Sequence, residues 1–268
     1  MKPIYSLLIF VIVFCIFSCK TSNSGKKEIS IKVLSYNIHH ANPPSKPDFI
    51  DLKAIAQVIK ESGADVVALQ EVDVFTDRSG KNSNQAEDLA EILGMEYFFS
   101  KGIDYQGGEY GTAILSKFPI LDKNRHELPN LENVDSEPRT LAVVTLDVRG
   151  KNLKFANTHL DYTNKENNLL QATTIHELLS KETHPLIIAG DFNAVPESAS
   201  IKLLDQQFVR SCRVDCPLTS PQENPKRIID YIMASSKSNL TVLDHQVIEE
   251  TYASDHRPVM VVYGLVND

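Results

Sequence analysis

Polar side chains that can bind metal ions, carry protons or contact phosphate recur in this chain wherever an apolar run stops. Asp191 and Asn193 follow the apolar stretch Leu186 to Ala189, and Asn37 closes the alternating stretch ISIKVLSYN. Glu71 stands at the end of ADVVALQ, and His159 ends LKFANTH. Asp230 and the Asp255–His256 pair lie within or beside later apolar runs. Any one of these is also a turn, GDFN above all, because Gly, Asp and Asn are turn formers and Pro196 follows. The repetition is what implies a site, since equivalent positions on successive strands converge on one edge of a layered fold. Several carboxylates held together are costly unless a cation neutralises them. Oxygen donors with no Cys among them suit Mg²⁺, Mn²⁺ or Ca²⁺ better than Zn²⁺. Two histidines add acid–base capacity near neutral pH, and the whole set is suited to attack on phosphorus.

Such a site needs strands to place it, and the sequence supplies them. After ISIKVLSYN comes IDLKAIAQVIKESG, with apolar residues at helical intervals and Gly63 as its stop. ADVVALQEV is then a buried strand, and a helix over 85–93 ends at Gly94. Strands follow near 97–100, 111–115, 141–148 and 153–158. The helix KENNLLQATTIHELLSK leads into the strand before Asp191, and a short helix over 199–204 follows it. The closing strands are RIIDYIMAS, LTVLDHQVI and PVMVVYGLV. Strands outnumber helices and several are close enough in sequence for hairpins. That predicts an α/β fold with two stacked sheets and helices outside, in one domain.

Bulk properties narrow the function. The chain has 268 residues, 42% hydrophobic and 23% charged, with a formal charge of −8. No basic block marks a nucleic-acid surface, so nucleic acid enters only as a substrate in a locally positive cleft. A monomer is expected. Residues 1–18 have the proportions of a secretory signal, with an apolar stretch too short to span a bilayer. Ser18–Cys19 at its end resembles a bacterial lipoprotein cleavage site, with Cys19 carrying the lipid and 19–28 forming a polar tether. The expected location is the cell envelope, membrane-anchored, with the domain at 29–268. Cys212 and Cys216 have no nearby partner ligands for a metal, and an oxidising compartment permits a short disulfide across a turn.

SYNI with Asn37, LQEV with Glu71, EPRT with Arg139, NTHLD with His159, GDFNA with Asp191 and Asn193, RIIDYI with Asp230 and SDHRPV with Asp255 and His256 occur in order. Together they resemble the endonuclease/exonuclease/phosphatase superfamily, which includes pancreatic deoxyribonuclease, abasic-site endonucleases, inositol-polyphosphate 5-phosphatases and neutral sphingomyelinases. The match covers roughly residues 30 to 264. It implies a four-layer αββα sandwich, two mixed β-sheets face to face with helices outside. It also implies a metal-dependent phosphoesterase, most simply a phosphodiesterase, with Mg²⁺ (or Mn²⁺ or Ca²⁺) as cofactor.

The resemblance also implies roles. Glu71 binds the metal with Asn37 and Asp255; Asp191 orients or deprotonates the attacking water; Asn193 holds water or a phosphoryl oxygen. His256, oriented by Asp230, contacts the phosphate, and Arg139 adds a bidentate cation there. Glu109 in GGEYG and His159 match the second Glu–His pair of deoxyribonuclease-like members. Abasic-site endonucleases place Tyr where His159 stands. His39 and His40 are read as rim residues, Asp161 as structural and Tyr110 as a wall residue, while Arg78 either contacts substrate or has no role. Candidate substrates are nucleic acid, a phospholipid or sphingolipid head group, and a sugar or inositol phosphate. A different class of function, a catalytically inactive lipid-tethered binding module on the same fold, would not need the full polar set.

Overall fold

Along the central strands, alternation sorts apolar residues between two faces, and both faces are covered. The computed structural model describes residues 29–265; the expected signal, the tether and Cys19 lie outside the described residues. In chain order the elements are β1 (Ile29–Asn37), a one-turn 3₁₀ helix (His39–Ala41), α1 (Leu52–Ser62), β2 (Val66–Val74), α2 (Gln85–Leu93), β3 (Glu96–Tyr105), β4 (Gly108–Ser116), β5 (Ile120–Glu127) and β6 (Thr140–Val148). There follow β7 (Lys151–His159), α3 (Lys165–Leu179), β8 (Leu186–Asp191), α4 (Ala199–Leu204), β9 (Phe208–Arg210), β10 (Asp230–Ser235), β11 (Leu240–Val247) and β12 (Val259–Leu265).

Two six-stranded sheets result, in the orders β11-β12-β1-β2-β4-β3 and β5-β6-β7-β8-β10-β9. Ile31, Val33, Ala68, Phe155, Ile187 and Ile232 fill the space between them. On the outer face of the first sheet, Leu34, Val67 and Leu69 pack against Ile55 and Ile59 of α1 and Leu89 of α2. On the outer face of the second, Ala156 and Ile188 meet Ala172 and Ile175 of α3 and Ile201 and Leu204 of α4. The fold is therefore a four-layer αββα sandwich. Each helix starts on a side-chain cap, from Asp51, Asn84, Asn164 and Ser198 in turn, and α1 and α2 stop at Gly63 and Gly94 with φ near 65°.

Both sheets are mixed because α1 and α3 act as crossovers, making β1–β2 and β7–β8 parallel while the other pairs are antiparallel. The C-terminal ends of these parallel pairs face one another across the sandwich. Just beneath that edge, buried Asn157 of β7 donates to the carbonyls of Leu69 (2.9 Å) and Ala113 (2.8 Å) and accepts from Gln70 of β2 (2.8 Å). This amide clasp fixes the offset of one sheet on the other where the polar residues gather.

Candidate active site

Register places three of the expected residues side by side. His159 at the end of β7 pairs with Asp191 at the end of β8, and Asp191 pairs with Asp230 at the start of β10. Strand parity turns all three inward with Phe155, Ile187 and Ile232. Gly190 makes this row possible, because a Cβ at its position would collide with the carbonyl oxygen of Thr158. From the facing sheet, Asn37 donates its amide to Glu71 Oε1 (2.9 Å) and Asp191 Oδ2 (3.2 Å), tying the two edges together. Glu71 arrives there by a β-bulge. Along β2 simple alternation would send it to the outer face with Val67 and Leu69. Instead two residues oppose Thr112, and Glu71 takes φ 58°. A non-glycine residue in that region is strained, and such strain gathers at functional sites.

Charge is distributed unevenly among these groups. His256 donates Nδ1–H to Asp230, 3.0 Å from each carboxylate oxygen, and Thr219 donates its hydroxyl to Asp230 Oδ2 at 2.6 Å. Burial alone would lower the His256 imidazolium, but the carboxylates of Asp230 and Asp191 outweigh it and push it up to about 10. The ring is therefore a cation at neutral pH, with Nε2–H as its remaining donor. Burial, then the charge of Asp230, push the Asp191 carboxyl up to about 7, against the draw of His256 and hydrogen bonds from Asn193 and Asn37. Burial and the Arg139 guanidinium hold His159 well below the ordinary imidazole range, so it is neutral. Arg139 Nη1 can only donate, so His159 Nδ1 accepts at 3.3 Å and the ring proton sits on Nε2, which faces Asp191 Oδ2 at 3.6 Å.

One expected contact is not formed. Glu109 does not meet His159. It shares strand parity with Gly111 and Ala113, whose face is the helix-covered one, and its carboxylate takes Lys101 at 3.1 Å. Tyr110, of opposite parity, reaches the site side instead and lines a small void with Arg139 and His159. Arg139 is buried, with one terminal nitrogen on Glu137 (2.8 Å), the other on His159 (3.3 Å), and its Nε without a hydrogen-bond partner. It stands behind His159 as a support. Arg78 is likewise held, forked onto buried Asp73 at 2.7 and 2.9 Å and stacked on Tyr105 and Tyr110. Asp161 accepts from Thr163 and Asn167 and organises the loop before α3. Cys212 and Cys216 are joined in a disulfide in the segment before Thr219.

Asn193, at φ 47°, gives its backbone N–H to Asp191 Oδ1 (2.9 Å) and its side-chain amide to the Leu160 carbonyl (3.0 Å). Both oxygens of Asp191 are thus held in place. Asn193 also walls a cavity of about 490 Å³ bordered by Tyr162, Lys165, Glu197, Ser198 and Arg227. Sequence reasoning missed two supports, Thr219 beneath Asp230 and Ser254, whose hydroxyl donates to the Asn37 carbonyl at 2.6 Å. Their signal was weak, since each is an unremarkable hydroxyl in a loop.

The donor set fits a hard divalent cation. Burial raises the Glu71 carboxyl above its ordinary range, the Asn37 amide draws it back, and the nearby charge of Asp255 raises it again. Neighbouring carboxylates that repel one another in a partly buried place are stabilised by a cation between them. Asn37 turns its nitrogen to Glu71 and its oxygen to the His39 N–H (3.1 Å), so its part is to clasp the carboxylates rather than to face an ion with oxygen.

Comparison with known proteins shows the family and the fold. Residues 34–256 match the model of the Endonuclease/Exonuclease/phosphatase family. The uncharacterized protein YbhP of Escherichia coli is 24% identical over 249 residues, 87% of this chain and 96% of its own length. A solved endonuclease/exonuclease/phosphatase family protein from Bacteroides thetaiotaomicron superposes with TM-score 0.74 at 22% identity, over 90% of this chain and 100% of that one. A mannosyl-6-phosphatase of the same species superposes with TM-score 0.70 at 22% identity, over 87% and 99%.

Proposed function

This chain belongs to the endonuclease/exonuclease/phosphatase family, and we propose that it is a divalent-metal-dependent phosphodiesterase acting outside the cytoplasm on a phosphate ester of a small polyhydroxylated alcohol. The observation that carries the chemistry is the Asp191–Asp230–His256 cluster, a carboxylate poised to take a proton beside a cation held charged. An inactive binding module would have no use for that split between acid and base.

Asp191, with both oxygens anchored, orients a water and draws its proton as the water's oxygen attacks phosphorus in line; the P–O bond opposite breaks, and the departing oxygen leaves as the alcohol on taking a proton from solvent. His256 gives Nε2–H to a phosphoryl oxygen and stabilises the charge growing there, while Asp230 and Thr219 keep its ring oriented and protonated. Asn193 fixes Asp191, and neutral His159, backed by Arg139, borders the same carboxylate. Glu71 and Asp255 would hold a hard cation, which when bound would supply charge neutralisation for the phosphate. The cavity beside Asn193 accommodates the alcohol, with Tyr162 as a face for a sugar ring and Lys165 and Arg227 as cations for a further anionic group. The charge of −8 disfavours a long nucleic-acid footprint. Lipid on Cys19 would hold the enzyme at the cell envelope, a proposal resting on the Ser18–Cys19 signal alone.

Hydrolysis of bis(p-nitrophenyl) phosphate and of glycerophosphodiesters in Mg²⁺, Mn²⁺ and Ca²⁺ tests the proposal. We expect activity that EDTA abolishes, and for Glu71→Gln a sharply weakened Mg²⁺ requirement curve that excess metal partly restores. Full activity in EDTA, or an unchanged metal curve in Glu71→Gln, would overturn it.

A further inference from the structure

We infer that His39, His40 and Glu71 form a second cation site, one that takes a zinc-class transition-metal ion (Zn²⁺ or Co²⁺) rather than Mg²⁺. One nitrogen of each imidazole and one carboxylate oxygen of Glu71 all lie within 4.8 Å of one another. A tetrahedral ion with bonds of about 2.1 Å sets its ligands about 3.4 Å apart, so the three groups would draw together on binding it. Two imidazoles and one carboxylate form a three-ligand set with an open fourth position, the ligand count of hydrolytic zinc centres. Nitrogen donors favour such ions over Mg²⁺, which prefers oxygen throughout.

The surroundings point the same way. His39 gives Nδ1–H to the Asn42 carbonyl at 2.8 Å, so its proton is fixed there and Nε2 keeps a lone pair. A backbone partner on the far nitrogen is the usual support of a metal-bound histidine. His40 leaves Nδ1 buried with no hydrogen-bond partner, which is costly for a polar atom unless something completes it. Its carbonyl is held by Gln85 at 2.7 Å, and Gln85 is anchored in turn by the Asp73 N–H. The turn itself is unusual, with φ of 47°, 44° and 60° at His39, His40 and Ala41. Glu71, at φ 58°, comes to meet it from the bulge. Four non-glycine residues in the left-handed region thus bring two imidazoles to a carboxylate. Glu71 is shared with the hard-cation site, so the inference rests on the placement of that carboxylate but not on any substrate.

Co²⁺ is the probe, because its visible absorption reports nitrogen ligation directly. Metal-stripped full-length protein should take up Co²⁺ with an intense visible band that millimolar Mg²⁺ leaves in place and Zn²⁺ displaces. His39→Asn and His40→Asn should each weaken Co²⁺ at least about tenfold and bleach the band. Asn suits the left-handed backbone at both positions, and melting curves will verify folding. His256→Ala should lose hydrolysis yet keep the Co²⁺ band, which separates this site from the phosphoesterase chemistry. A Co²⁺ band that Mg²⁺ removes, or Co²⁺ affinity unchanged in both histidine variants, would overturn the inference. Absence of hydrolysis on every substrate, with the Co²⁺ results as expected, would overturn the proposed function alone.

Discussion

His256 and Asp191 sit close enough that each sets the proton affinity of the other, and Asp230 acts on both. Replacing His256 by Ala removes the cation that meets the phosphoryl oxygens, and Asp191→Asn removes the proton acceptor. Each should lower kcat at least about a hundredfold, the size expected for lost electrostatic or acid–base help. Both variants should keep the wild-type circular dichroism spectrum, since neither side chain belongs to the apolar layers. A kcat within a few fold of wild type in either variant would remove that residue from the chemistry. At this scale the sequence was legible where a residue ends a strand with inward parity, as for Asn37, His159 and Asp191. It misled at Glu109, because GGEYG resembles a family motif while parity on β4 faces that side chain toward the helix layer. It was silent on Thr219, whose partner Asp230 lies eleven residues away across a loop.

Between elements, the site depends on how closely β7 and β8 approach. Gly190 is where that approach is tightest, and its φ of 154° is uncommon for a residue with a side chain. Gly190→Ala should destabilise the fold by about 3 kcal/mol, read from urea unfolding, because the Thr158 carbonyl belongs to the sheet and cannot yield. A loss below about 1 kcal/mol would mean that the strands separate readily there. Helices and central strands were readable, with Gly63 closing α1 and the 199–204 helix found at its observed bounds. β5 and β9 were not. The first is an edge strand, ILDKNRHE, exposed along most of its length, so no apolar alternation marks it. The second has three residues, too few for any period. The bulge at Glu71 was also invisible, since it is set by two residues of β2 opposing Thr112 on a strand forty residues on.

For the whole molecule, placing these charges in a cleft costs stability. The Asp191 carboxyl rises from 3.8 in the unfolded chain to about 7 in the fold. A raised folded value binds protons more tightly, so that contribution is fully present below pH 3.8 and is lost as pH rises through about 7. Asp191→Asn should therefore melt several degrees above wild type at pH 8 in EDTA while losing activity, a trade between stability and function. An equal or lower Tm would show the buried charge to be fully compensated. The pH–rate profile of wild type and Asp230→Asn, on a phosphodiester in saturating Mg²⁺, tests the central claim most directly. Wild type should give a bell, its acid limb set by ionisation of Asp191 and its basic limb by loss of the His256 proton. Asp230 raises both groups, so removing its charge should move both limbs to lower pH and leave the variant least impaired in acid. A basic limb unmoved in Asp230→Asn would contradict the assignment of His256 as the cation that Asp230 keeps charged.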